Sequence, residues 1–73
     1  MTKFKIKFET PGEKNLILPY MEPHLNIKKE KKKSIIVKAK NKRKVEQKLG
    51  SAMEDFYFDN QEYGVKFPEI EEK

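Results

Sequence analysis

The chain has no cysteine and no tryptophan, and it holds three glycines, one histidine and one arginine. Without cysteine there is no disulfide to staple the fold and no thiolate to bind a metal or attack a substrate, which fits a reducing compartment. No apolar run approaches the ~20 residues that cross a bilayer. The N-terminal segment Met1–Lys7 has lysine at every second position from Lys3 instead of the hydrophobic core of a secretion signal. The expected location is therefore the cytoplasm, with no membrane partner.

Other scarcities bear on chemistry. Gly12, Gly50 and Gly64 are too far apart to form a phosphate-cradling loop, and no spacing of ligand residues fits zinc or calcium. Catalysis needs a nucleophile, a base and an orienting group held together. His24 lies between Pro23 and Leu25 and reads as a packing or surface residue, while Ser34 and Ser51 fall at a strand start and a helix break, where structural roles suffice. The expectation is a binding protein and not an enzyme, with no cofactor, no metal and no small-molecule substrate.

What the chain does have is charge. Its 73 residues carry 17 basic and 12 acidic side chains, a formal net charge of +5, which is spread unevenly. Residues 28–48 hold eleven basic side chains against Glu30 and Glu46, whereas residues 49–73 hold seven acidic and two basic. Charged residues make up 40% and hydrophobic ones 36%, a balance that leans toward disorder. The phenylalanines and tyrosines nevertheless fall in periodic segments, which predicts a folded domain over residues 1–68 and a frayed acidic tail at 69–73.

Thr2–Glu9 alternates, with Phe4, Ile6 and Phe8 on one face and Lys3, Lys5 and Lys7 on the other, which predicts a strand. Thr10–Glu13 reads as a turn. Leu16–Met21 is apolar throughout but contains Pro19 and precedes Pro23, so it reads as an edge strand or an irregular packed segment. Leu25 and Ile27 suggest a short strand, followed by a lysine-rich turn. Ser34–Lys40 is the clearest strand, with Ile35, Val37 and Ala39 facing one way and Ile36, Lys38 and Lys40 the other.

Asn41 suits a helix N-cap, and Val45, Leu49, Ala52, Met53 and Phe56 then form an apolar helical stripe. Gly50 and the capping-box pattern Ser51–Glu54 allow a kink, yet the stripe keeps its phase, so one helix is expected. Lys42, Arg43 and Lys44 occupy the first turn, where the macrodipole prefers anions. Tyr63, Val65 and Phe67 suggest a last short strand before Pro68. Together these predict an α+β fold: a small, mainly antiparallel sheet of three to five strands with one amphipathic helix packed on one face.

The stretch Ser34–Ala39 followed by Val45 and Leu49, with Phe4-Lys5-Ile6 at the start, loosely resembles the small epsilon subunit of Gram-positive RNA polymerase over part of the chain. That resemblance implies no functional residues here. In size, lysine richness and lack of catalytic groups the chain also resembles small phage-encoded proteins that block host machinery.

The leading expectation is a basic protein engaging nucleic acid or a nucleoprotein complex. Its expected contacts are Lys28, Lys29, Lys31, Lys32 and Lys33 on the hairpin, Lys38 and Lys40 on the strand, and Lys42, Arg43 and Lys44 at the helix start. With sixteen lysines and one arginine, recognition would rest on point charges and carry little sequence specificity. The alternative is a phage-type modulator that binds and inhibits a host replication, transcription or defence complex, the lysines then meeting an acidic protein surface or serving solubility. Leu16, Ile17, Tyr20, Met21, Tyr57 and Tyr63 are the interface candidates for that reading, or for a homodimer.

Overall fold

The alternating N-terminal segment becomes β1 (Thr2–Lys7), with Phe4 and Ile6 buried. The computed structural model describes residues 2–60 and 66–72. After β1 come α1 (Pro11–Met21), β2 (Asn26–Glu30), β3 (Ser34–Ala39), α2 (Lys42–Asp59) and β4 (Glu69–Glu72). The four strands form one antiparallel sheet in the order β2-β3-β1-β4, so the fold is α+β. Element order and strand order are those of the split βαβ, ferredoxin-like layout.

Two helices, where one was expected, pack on the same face of the sheet. Ile17 and Met21 of α1 join Val45, Leu49, Ala52, Met53 and Phe56 of α2 over Phe4, Ile6, Ile35 and Val37. The opposite face has no helix among the described residues.

The additional helix is the segment expected to be a turn and an irregular stretch. Thr10 is extended, and its side-chain oxygen accepts a hydrogen bond from the Glu13 amide at 3.1 Å, while Pro11 occupies the first helical turn, where a missing N–H costs nothing. Pro19 lies within the last turn, on the exposed side; it cannot donate to the Asn15 carbonyl, but only two helical residues follow it. Lys14, Ile17 and Met21, three and four residues apart, face inward. Leu16–Met21 is therefore helical, neither an edge strand nor an irregular segment.

The tail also departs from expectation. Glu69–Glu72 is not frayed but forms β4, paired along β1. Glutamate is a poor strand former, but here Glu69 lies opposite Lys7 and Glu71 opposite Lys5, and opposite charges across an antiparallel pair are stabilising. Of the expected last strand, Phe67 is in no strand and is exposed, while Tyr63 and Val65 lie outside the described residues.

The helix α2 runs unbroken through Gly50. Its N-cap is as the residues suggest: Asn41 Oδ1 accepts from the Lys44 amide at 2.9 Å. At its far end, Tyr20 of α1 donates to Asp59 at 3.0 Å, accepts from Asn60 at 3.1 Å, and meets the Phe56 ring edge-on at 5.5 Å. His24 lies 3.1 Å from Asp55, a second tie between the α1–β2 connection and α2. No helix of the described residues is long and apolar enough to cross a membrane.

Candidate nucleic-acid interface

Cross-strand register fixes which side chains share the uncovered face of the sheet. Lys3 on β1 is opposite Lys38 on β3, which is opposite Asn26 on β2. In the next row Lys5, Ile36 and Lys29 stand side by side, and Lys7 and Ser34 follow. The free face is thus a lysine field around one apolar residue. Ile36 is only 5% exposed although it lies apart from the core. Its cross-strand neighbours are Lys5 and Lys29, whose aliphatic stems can cover it while their ammonium groups stay in water.

At the α2 end of β3 this field folds into a cleft. Lys38 on β3, Lys40 in the connection, and Lys44 and Lys48 one turn apart on α2 line, with Asn26 and Ala39, a cavity of about 290 Å³. Among the described residues none of these four lysines has a carboxylate within salt-bridge distance. Lysines 3 and 38, directly opposite each other, add a like-charge pair that opposes folding. Such a concentration of unpaired cations is what a polyanion would neutralise.

The expected basic stripe is therefore divided. Lys38, Lys40 and Lys44 meet in the cleft, joined by Lys48, which was not among the expected contacts. Lys48 was legible as the residue one turn after Lys44 on the same helix face. Lys3 and Lys5 were legible as the wet side of β1, but only the register brings them beside Lys38 and Ile36. Lys42 and Arg43 are exposed on α2 and do not line the cleft.

Lys32 and Lys33 sit at the β2–β3 turn, near the other end of β3, which at ~3.3 Å per residue is roughly 17 Å away. The turn has its own structural cation: Lys14, only 6% exposed, donates to the Lys31 carbonyl at 2.8 Å and lies 3.5 Å from Glu30. Lys28 and Lys29 lie on the outer edge strand, where the register shifts between Ile27 and Lys29.

The opposite flank of the free face is acidic. Lys7 Nζ lies 3.0 Å from Glu71, and this hydrogen bond, with the charge of Glu71 and more weakly Glu69, raises the Lys7 ammonium above its usual range. Beside β4, Lys7 is thus already balanced. The open part of the field runs from β1 across β3 to β2 and into the cleft.

The apolar interface candidates separate in the same way. Ile17 and Met21 are fully buried in the core and are not available to a partner, because they form the inward stripe of α1. Tyr20 is half-buried in the clamp on Asp59 and Asn60. Leu16 and Tyr57 are exposed, Phe58 is 79% exposed, and Tyr63 lies outside the described residues. Among the described residues no group of three or more histidine, aspartate or glutamate side chains is placed to hold a metal ion.

No family model, no curated protein and no solved structure matches this chain.

Proposed function

We propose that the chain is a non-enzymatic protein that binds nucleic acid by its phosphate backbone, through the free face of the sheet and the lysine cleft. The observation that carries this reading is the convergence of Lys38, Lys40, Lys44 and Lys48 around one cavity, with no carboxylate of the described residues within salt-bridge distance. Lys3, Lys5 and Lys29 extend that positive surface across the sheet.

The composition of this surface supports a duplex as the ligand in this reading. Recognition modules built on four-stranded sheets of this sort stack bases on aromatic side chains of the sheet. Here the free-face positions are lysine, asparagine, serine, glutamate and one isoleucine, so the described sheet offers no stacking platform. Binding through charge alone favours the higher charge density of a duplex over a single strand. Lysine point charges then give little base discrimination.

Fluorescence anisotropy of labelled single- and double-stranded DNA and RNA across a salt series tests this. The expected result is tighter binding to duplex, insensitive to sequence, with a steep negative slope of log affinity against log salt. Absence of binding to any of the four at low salt would refute the reading.

One observation favours a second reading, a protein–protein modulator. Phe58 stands exposed at the end of α2 beside Tyr57, among Glu54, Asp55 and Asp59. Under that reading Phe58→Ser abolishes capture of a protein partner and leaves nucleic-acid binding unchanged. Under the first, nucleic-acid binding is the property that charge removal in the cleft destroys.

A further inference from the structure

The sheet ends on two strands of opposite charge. At one edge β2 carries Lys28 and Lys29, its one carboxylate, Glu30, lying beside Lys14; at the other β4 carries Glu69, Glu71 and Glu72. Among the described residues each has one side paired and one side open. Each also holds a half-buried isoleucine at the margin of the core, Ile27 on β2 and Ile70 on β4. On the helix side of the β2 edge, Leu18, Leu25 and Ile27 line a groove of about 460 Å³ rimmed by Glu22 and Glu30.

Strand sense links these two edges. Every neighbouring pair in β2-β3-β1-β4 is antiparallel, so β2 and β4 run in opposite directions. A second copy displaced along the sheet, with its helices on the same side, would bring its β4 antiparallel to the first copy's β2. The alternation of strand sense would continue without interruption across the junction.

We propose that the chain associates head to tail with further copies of itself, the β2 edge of one pairing with the β4 edge of the next. Placing Ile27 opposite Ile70 puts both isoleucines on the helix side, at the apolar groove. The same register puts Asn26 opposite Glu71 and Lys28 opposite Glu69 on the free side, where Glu69 and Glu71 already face. Lys29 stands next to this pair. The register shift at Ile27/Lys29 keeps the ladder short. Backbone pairing is then limited, and the complementary charges decide whether the junction forms. Because the two surfaces differ, the contact does not close on itself as a two-fold dimer but continues or forms a ring.

Sedimentation velocity of the full chain, freed of nucleic acid, tests this over protein concentration and salt. The expected behaviour is a mass that rises past dimer with concentration at low salt and returns to monomer at high salt. The double variants Lys28→Glu/Lys29→Glu and Glu69→Lys/Glu71→Lys should each lose all species above monomer. Mixed in equal amounts they should regain them, because each then offers the edge that the other lacks. Glu69 and Glu71 also face Lys7 and Lys5 of β1, so far-UV circular dichroism checks each variant, and if the β4 variant loses its sheet the loss of association in Lys28→Glu/Lys29→Glu decides the test.

A wild-type monomer at every concentration in low salt would overturn the proposal. So would a mass that stops at dimer, association unaffected by the charge changes, or folded variants that fail to rescue each other.

Discussion

The two ends of β3 are both rich in lysine, but they are built differently. At the hairpin end, Lys32 and Lys33 are exposed on a turn held by the buried Lys14. At the α2 end, Lys38, Lys40, Lys44 and Lys48 come from a strand, a connection and a helix and share one cleft. Lysines that are consecutive in sequence alternate or splay apart, whereas lysines brought from separate elements can point at one ligand. Density of charge along the chain is thus a poor guide to where charge is concentrated in space.

The comparison breaks most directly if the cleft is neutralised. Replacing Lys38, Lys40, Lys44 and Lys48 by glutamine should flatten the salt slope for duplex DNA by about three to four, at ~0.9 per lost phosphate contact. The fold should survive with its melting temperature unchanged or slightly raised, since like charges have been removed. A slope that stays as steep as wild type would move the interface elsewhere.

Next in size is the foundation of the other end. Lys14→Met removes the donor to the Lys31 carbonyl and the partner of Glu30, and should cost about 1–3 kcal/mol in urea unfolding. Affinity for nucleic acid should change far less than in the cleft variant. A stability equal to wild type would mean that the hairpin does not depend on this lysine.

Smaller still is the effect of the tip itself. Lys32→Gln with Lys33→Gln should lower the salt slope by less than one and leave stability within about 0.5 kcal/mol, as for exposed positions generally. If this pair matched the cleft variant in the binding titration, the two ends would be equivalent and the distinction between them would fail.

The smallest expected effect concerns the acidic flank. Lys7 holds its proton more tightly in the folded chain than in the unfolded one. Its contribution to stability is complete below the ordinary lysine value of 10.5 and is lost as pH rises through the raised folded value. The stability difference between wild type and Glu71→Gln should therefore shrink in strongly alkaline buffer. Denaturant midpoints of both proteins through that range would show it, and a difference that grew with pH would contradict the pairing.

Much of the scaffold was legible because simple periodicities decide it. The alternation in Thr2–Lys7 and Ser34–Ala39 and the Val45–Phe56 stripe name the core face of three elements, and Asn41 marks where α2 begins. The helix α1 was hidden because Pro19 argues against a helix unless the last turn is known to end two residues later. Leu16, Leu18 and Tyr20 also surround Ile17 with apolar neighbours, which blurs the inward stripe. The strand β4 was hidden because its glutamates gain their preference from Lys5 and Lys7, more than sixty positions earlier in the chain. Half of the candidate site was legible for a similar reason: local charge is visible in the sequence, but cross-strand neighbours such as Lys3 and Lys38 are set only by register.

The acidic strand β4 has one more consequence. Glu69 and Glu71 lie along one flank of the sheet, and Lys38, Lys40, Lys44 and Lys48 gather on the far side of β1, so opposite charges stand apart across the strands. In the field of a rod of phosphates such a body experiences a torque before it makes any contact. It would rotate so that β4 trails and the cleft leads, which shortens the search over orientations that normally slows docking. The four residues that close the sheet would thus also serve as the tail of a compass needle, one whose alignment fades as ionic strength rises.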